Sequence, residues 1–406
     1  MFCKSTRMST RTSFRQKFQN FFEFKWAFKR GISIFGACSA IGFRNQEEEW
    51  KVNNKSLKFQ IPSSNSKNHQ YLCEVAQWKK KGEDSWMILP VKGESDSPSF
   101  IKRYFSFHSQ QNHTQSPNQK IHHLIFGVFD GHIGPNLSKI ASYTIPLQIQ
   151  ASIETQQNNH DYESILSNSC KNLDSLIMPF EYLVKPNSTK LLKEMVTLAY
   201  QGSCACLVIL NTKTNEIHVG NVGDSRLIVI DAIEGKVKFE TQDANCRTEF
   251  GKHLLMNEHP KETETELIQR GFVKGRIMPV RTLGDAHLKL SQTLQDDFAL
   301  QFRGAKDLKK DGRYDHYPYL LSTPIYSKVA IDFQKDVLLL VSDGVTDYLT
   351  SEEIAELCTK EKKRKKDDPD YASVILEEVL KRSSESGKHQ DDVTIIASSL
   401  VEMVAP

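Results

Sequence analysis

The feature that most narrows the fold is a set of short apolar runs at 124–129, 205–210, 217–222, 227–230, 337–341 and 393–398. They are built mainly of Val, Ile and Leu and bounded by Gly, Asp or Asn. Runs of this length and composition, cut off by turn formers, predict strands of packed sheets. Helical periodicity falls over 136–153, 191–200, 262–270, 352–360 and 371–383. The strands are grouped and the helices do not alternate with them one for one. That pattern predicts antiparallel sheets covered by helices rather than a doubly wound parallel fold.

Two ends of the chain differ in composition. The first 44 residues carry Lys4, Arg7, Arg11, Arg15, Lys17, Lys25, Lys29, Arg30 and Arg44 against a single acid, Glu23, among Ser, Thr and Phe. This is the composition of a mitochondrial presequence, so residues 1–45 are read as a basic leader and 46–406 as one domain; a basic tail on a cytosolic protein is the alternative. The uncharged run at 31–43 is roughly 13 residues, too short to span a bilayer, so no integral membrane span is expected. Segment 95–119, rich in Ser, Gln, Asn and His, is expected to be a surface loop. Lys and Arg together number 53 against 50 acids, so no global basic field argues for nucleic acid. The run Lys362, Lys363, Arg364, Lys365, Lys366 is answered at once by Asp367, Asp368 and Asp370 and reads as a solvated loop between two helices. Eight cysteines without a CxxC pair or a secretory leader give no disulfide framework, and Cys204 and Cys206, two apart in an apolar run, read as small buried side chains on one strand face.

Three of the predicted strands begin or end at an aspartate: Asp130 in Phe129-Asp130-Gly131-His132, Asp343 in Ser342-Asp343-Gly344, and Asp391 in Asp391-Asp392-Val393. One Asp-Gly is usually only a turn. Several carboxylates at neighbouring strand ends are mutually repulsive unless a hard divalent cation, which takes oxygen ligands, offsets the charge.

In chain order, Glu83-Asp84, 128–134 (VFDGHIG), 202–205 (GSCA), 221–226 (NVGDSR), 281–285 (RTLGD), 342–347 (SDGVTD) and 391–394 (DDVT) resemble the motifs of the PPM, or type 2C, metal-dependent protein serine/threonine phosphatases, over nearly the whole chain after the leader. The resemblance implies an α+β fold, a four-layer α-β-β-α sandwich of two packed, mainly antiparallel sheets flanked by helices. It implies two Mg2+ or Mn2+ ions that activate the water attacking a phosphoserine or phosphothreonine. Asp130 would bridge both ions, with the Gly131 carbonyl, Glu83 and Asp84 on one and Asp343 and Asp391 on the other. His132 matches the general acid that protonates the leaving oxygen. Asp224, Asp285 and Asp347 resemble the acids of a third, weaker metal site.

The chain also departs from the family pattern. Lys79 stands where many members have a phosphate-gripping arginine, and a lysine offers a point charge without the bidentate fork. Ile133 replaces the usual glycine after Asp-Gly-His, and Cys204 the threonine of Gly-Ser-Thr-Ala. Segment 242–285, with Asp243, Asn245, Glu258-His259-Pro260, Arg276 and Met278-Pro279, resembles the pyruvate dehydrogenase phosphatase subgroup, as does the stretch from Leu288 through Tyr317-Pro318-Tyr319-Leu320 to Pro324. That implies a matrix enzyme acting on the alpha subunit of the pyruvate dehydrogenase complex. A cytosolic signalling phosphatase and a pseudophosphatase serving as a binding module are the competing readings.

Overall fold

The computed structural model describes residues 53–61, 69–92, 121–156, 160–178, 196–291, 316–332, 334–365, 369–387 and 391–402. The leader, the polar segment 95–119 and the first part of the helix expected at 191–200 lie outside them; residues 196–200 are helical.

In chain order come β1 (Asn53–Ile61), β2 (His69–Trp78), β3 (Ser85–Lys92), β4 (Ile121–His132), α1 (Asn136–Thr155), α2 (Tyr162–Ile177), β5 (Gly202–Asn211), β6 (Glu216–Val222), β7 (Arg226–Asp231) and β8 (Lys236–Glu240). They are followed by α3 (Glu249–Glu258), α4 (Glu264–Leu267), β9 (Ile268–Gln269), β10 (Phe272–Val273), β11 (Leu283–Gly284), α5 (Ala286–Lys289) and β12 (Ile325–Ala330). The last are β13 (Asp336–Val341), α6 (Asp343–Thr346), α7 (Ser351–Arg364), α8 (Tyr371–Ser386) and β14 (Val393–Glu402). One sheet runs β1-β2-β14-β13-β7-β8 and the other β12-β6-β5-β4-β3, with β11 added beside β5. Every strand pair within them is antiparallel.

Side chains on a strand alternate between faces, and here both faces are covered. On β4 and β5, Leu124, Phe126, Val128, Cys206, Val208 and Leu210 point inward to meet Leu227, Val229, Leu338, Leu340 and Ile396 of the facing sheet. Their neighbours Ile125, Phe129, Ala205, Leu207 and Ile209 point outward under α1 and α2, where Leu137, Ala141, Ile145, Ile165, Leu166 and Leu173 cover them. The other sheet does the same beneath α7 and α8, with Val337, Leu339, Val341, Ile395 and Ala397 against Ile354, Ala355, Ile375 and Val379. The four-layer α-β-β-α sandwich expected from the sequence is therefore the architecture. Cys204 and Cys206 lie on one strand face, both buried, as their spacing suggested.

Two local expectations are corrected. The helix expected at 262–270 is only α4, started by a Thr263–Glu266 capping box, and the chain then turns into the β9–β10 hairpin. Arg270 and Gly271 have φ of 56° and 82°, the two positive-φ residues that a two-residue hairpin turn needs and a helix cannot hold. The basic run is not all loop: Lys362, Lys363 and Arg364 form the last turn of α7, where cations complement the helix dipole.

A buried polar cluster ties β4, β6, α2 and β12 together. His123 Nε2 and Tyr162 Oη are 2.8 Å apart, Asn211 Nδ2 donates to the same hydroxyl at 3.1 Å, and His218 Nδ1 lies 2.8 Å from Tyr326 Oη. Burial, helped by the neighbouring His160, pushes His123 down to about 3; burial and Lys328 push His218 down to about 4. Both folded-state values lie below the ordinary 6.5. Below about pH 6.5 the unfolded chain therefore takes up these protons first, and stability drains away until the folded values are passed. Each histidine contributes up to about 1.4 kcal/mol per pH unit in that window. Buried carboxylates titrate there with the opposite sign, so the informative quantity is a difference: urea unfolding of His123→Gln in chelator should show a shallower loss of stability between pH 7 and 5 than the unchanged chain. Parallel pH slopes for the two proteins would remove histidine protonation as a cause.

Candidate metal centre and active site

Strand register gathers the aspartates at one end of the sandwich. β3 pairs with β4 through Ser85↔Phe129, which sets Asp84 beside Asp130, and β4 pairs with β5 through Asp130↔Cys204 and His132↔Gly202. In the facing sheet β13 ends at Val341, paired with Ile395 of β14, so Asp343 and Asp391 lie at the same end. A hydrogen-bond lattice locks the ends together. The Thr394 hydroxyl donates to Asp84 Oδ2 at 2.9 Å and accepts from Gln77 Nε2 at 2.9 Å, while its backbone N–H donates to Ser342 Oγ and its carbonyl accepts from the Ser342 N–H, both at 3.0 Å. Asp392, which the sequence presents only as the companion of Asp391, folds the preceding loop. Its carboxylate accepts from the backbone N–H groups of Lys80, Lys81, Glu83 and Asp84 at 2.6, 2.7, 2.6 and 3.2 Å.

The result is a cavity of about 540 Å³ lined by Asp130, Gly131, Asp224, Asp343 and Asp391, with His132, Cys204 and Lys81 among them. Asp84 and Glu83 stand behind it: Asp84 is buried against Thr394, and the Glu83 carbonyl accepts from Ser138 Oγ. A β-carbon on Gly131 would come within 2.5 Å of that carbonyl, so the residue after Asp130 must be glycine for the two loops to touch. Lys81, rather than Lys79, lines the cavity, and its Nζ reaches Asp391 Oδ2 at 2.8 Å.

The electrostatics are those of too much negative charge in too little water. Burial, then Asp343 and Asp84, raise Asp130 well above the ordinary carboxylate range; burial and Asp224 do the same to Asp343. Burial and Asp392 lift Asp84 to about 7, and burial raises Asp224 although Cys204 Sγ and Asn245 Nδ2 donate to it at 3.2 and 3.0 Å. Oxygen donors under mutual repulsion are the donor set a hard divalent cation takes, and a cation would reverse each of these shifts. Among the described residues no three His, Cys, Asp or Glu side chains already converge on a single point. Asp391 turns to Lys81, an exposed pair that costs little to open, and Asp84 to Thr394. The donors fit hard divalent cations in kind, and Asp391 would have to swing away from Lys81 to join them.

His132 has a partner that motif spacing does not reveal. Its Nε2 lies 2.8 Å from Oδ2 of Asp285, a carboxylate with no solvent exposure. Burial pulls the imidazole pKa down, but Asp285 more than offsets it, leaving His132 above its ordinary value; the same contact holds Asp285 below its own despite burial. The pair crosses directly over Gly202, where a β-carbon would fall 1.9 Å from His132 Nε2 and 2.2 Å from Asp285 Oδ2. Of the acids assigned to a third metal site, the structure brings Asp224 to the cavity wall. It sets Asp285 against His132, and Asp347 toward solvent, 3.4 Å from Arg247.

Segment 242–285 forms the far wall. Asp243 clasps Arg226 at 2.8 and 3.0 Å, Asn245 donates to Asp224, Glu258 pairs with Arg281, and Arg276, Ile277, Met278 and Pro279 line the cavity. No helix among the described residues is long and apolar enough to cross a membrane.

Comparison with known proteins gives this site its context. The family model described as Protein phosphatase 2C matches residues 94–387. A probable protein phosphatase 2C 25 of Oryza sativa subsp. japonica is 26% identical over 240 residues, covering 58% of this chain and 57% of that protein. The mitochondrial pyruvate dehydrogenase (acetyl-transferring)-phosphatase 1 of Saccharomyces cerevisiae is 28% identical over 256 residues, covering 57% of this chain and 43% of that protein. The Homo sapiens protein of the same name is 26% identical over 208 residues, covering 48% and 38%. The chain spans about half the length of the curated relatives it matches. Among solved structures, serine-threonine phosphatase 2C from Toxoplasma gondii superposes with a TM-score of 0.51 at 15% identity, covering 86% of this chain and 99% of that one, a likeness of fold. With the family model spanning residues 94–387, the chain belongs to the protein phosphatase 2C family.

Proposed function

We propose that this protein is a metal-dependent protein serine/threonine phosphatase of the mitochondrial matrix whose substrate is the phosphorylated alpha subunit of the pyruvate dehydrogenase complex. The observation that carries the chemistry is the meeting of Asp130, Asp343 and Asp391, from distant segments, in one cavity beside His132. Asp130, Asp343 and Asp391, with Glu83, Asp84 and the Gly131 carbonyl, would hold two Mg2+ or Mn2+ ions. When bound, such ions lower the pKa of a water and offset charge on the phosphoryl group. Asp224, on the cavity wall, would help hold a third, weakly bound ion, whereas Asp285 and Asp347 would have to release His132 and Arg247 to join it. His132 donates a proton to the departing seryl or threonyl oxygen; with Nε2 engaged by Asp285, Nδ1 is the nitrogen that serves. Asp285 keeps that imidazole protonated and turned. Lys81, in place of the Lys79 expected from the motif, supplies a point charge toward the phosphate.

Support for the substrate comes from the subgroup resemblance of segment 242–285, from relatives named mitochondrial pyruvate dehydrogenase phosphatases, and from the basic leader. The purified protein should dephosphorylate the phospho-pyruvate dehydrogenase complex in Mg2+ or Mn2+ at least about tenfold faster than an unrelated phosphoprotein, and chelator should abolish both rates. Equal rates would leave only the general activity standing, and no turnover with either metal would favour a binding module. A fusion of residues 1–45 to a fluorescent protein should enter mitochondria; a diffuse cytosolic signal would remove the matrix assignment.

A further inference from the structure

The rim of the cavity is as apolar as its floor is acidic. The large apolar side chains exposed among the described residues are Ile133, Ile233 and Phe272, and two of them, Ile133 at 62% and Phe272 at 38% exposure, belong to this one cavity. They arrive from unrelated elements. Ile133 follows His132 at the end of β4, and Phe272 opens β10 just after the Arg270-Gly271 turn. Ile277 and Met278 continue the wall behind them. Ile133 holds a φ of 64°, a backbone region that β-branched side chains rarely enter, and there it presents its side chain to solvent rather than to the core. Exposed apolar groups scattered singly need no explanation, but two gathered at the mouth of a chemically competent cavity mark a recognition surface.

Geometry says what would touch it. A phosphorylated residue reaching the acidic floor carries its chain neighbours at about 3.8 Å per residue, so the side chains on either side of it must pass the rim. We infer that Ile133 and Phe272, backed by Ile277 and Met278, select a polypeptide substrate bearing a bulky apolar side chain immediately beside the phosphorylated residue. The inference rests on the phosphatase reading for the orientation of the substrate, and on the exposed pair for its preference.

The test uses fluorescent peptides carrying a non-hydrolysable phosphonate analogue of phosphothreonine, identical except at the two flanking positions, which carry Leu, Asn or Asp, with binding to the full chain read by anisotropy in Mg2+. The Leu peptide should bind about tenfold more tightly than the Asn peptide, the scale expected for covering part of an apolar side chain. Ile133→Asn, which keeps similar bulk in a side chain that tolerates positive φ, and Phe272→Asn should each cut that preference to within about twofold. Circular dichroism and a thermal midpoint near that of the unchanged protein verify that each variant is folded. Equal binding of the Leu and Asn peptides, tighter binding of the Asp peptide, or a Leu preference that survives both substitutions would overturn the inference. Turnover of p-nitrophenyl phosphate by the unchanged protein reports separately on the phosphatase reading, because a rim preference in binding does not require catalysis.

Discussion

Asp130→Asn and Asp343→Asn are each expected to lower kcat on a phosphothreonine peptide by at least about 10³-fold in Mg2+ or Mn2+, the scale of several kcal/mol of metal-borne charge stabilisation. The same substitutions should raise the stability of the metal-free protein. Burial and neighbouring carboxylates push both groups far above their ordinary range, so the folded state carries the cost of confining charge or taking up protons. Asparagine keeps the shape and removes the charge. A gain of about 1 kcal/mol or more, read as a few degrees in thermal midpoint in chelator, is the expected size. Added Mg2+ should then raise the midpoint of the unchanged protein, since a ligand of the folded state stabilises it by mass action, and leave the variants where they were. Opposite signs for activity and stability separate a metal cage from ordinary packing, which would lose stability and keep turnover. A variant that holds a tenth of parental activity, or still responds to Mg2+, would show that these carboxylates do not hold the ions.

Much of this site was legible because its parts are local. An apolar run that stops at Asp-Gly announces a strand end, and Asp130, Asp343 and Asp391 are all found where their runs begin or end. The inner and outer faces of β4 and β5 could likewise be read from alternation. What escaped is held by tertiary contact or by sequence that contradicts its environment. β3 contains Pro90, which argues against a strand, yet β3 sits at a sheet edge, where a missing N–H is tolerated. α2 escaped notice although Tyr162, Ile165, Leu166, Cys170, Leu173 and Ile177 stand at helical spacing and Asp161 caps it by accepting from Ser164 N. The Asp285 partner of His132 lies 153 residues away, and only the pairing of β11 and β4 on either side of Gly202 brings the two together. Lys81 rather than Lys79 reaches the cavity because Asp392 folds residues 80–84 into a tight loop around its carboxylate, a contact across 312 residues that no local pattern encodes.

That long-range pair sets the second large effect. His132→Ala should slow hydrolysis of a phosphothreonine peptide by about 10²–10⁴-fold, the range of a positioned general acid, because an alkoxide leaves poorly without a proton. On p-nitrophenyl phosphate the loss should stay within about tenfold, since a nitrophenolate departs without protonation. Asp285→Asn supplies the finer test. A general acid must be protonated to act, so kcat/KM on the peptide falls as pH rises through the pKa of His132, and Asp285 holds that pKa above 6.5 against the pull of burial. Removing the carboxylate charge leaves burial in command, and the alkaline limb of the profile should move to lower pH while activity at the acidic end is largely kept. The shift should vanish on the aryl phosphate, whose leaving group does not need the proton. Equal losses on both substrates in His132→Ala, or an unmoved limb in Asp285→Asn, would mean that His132 binds phosphate or water rather than delivering the proton.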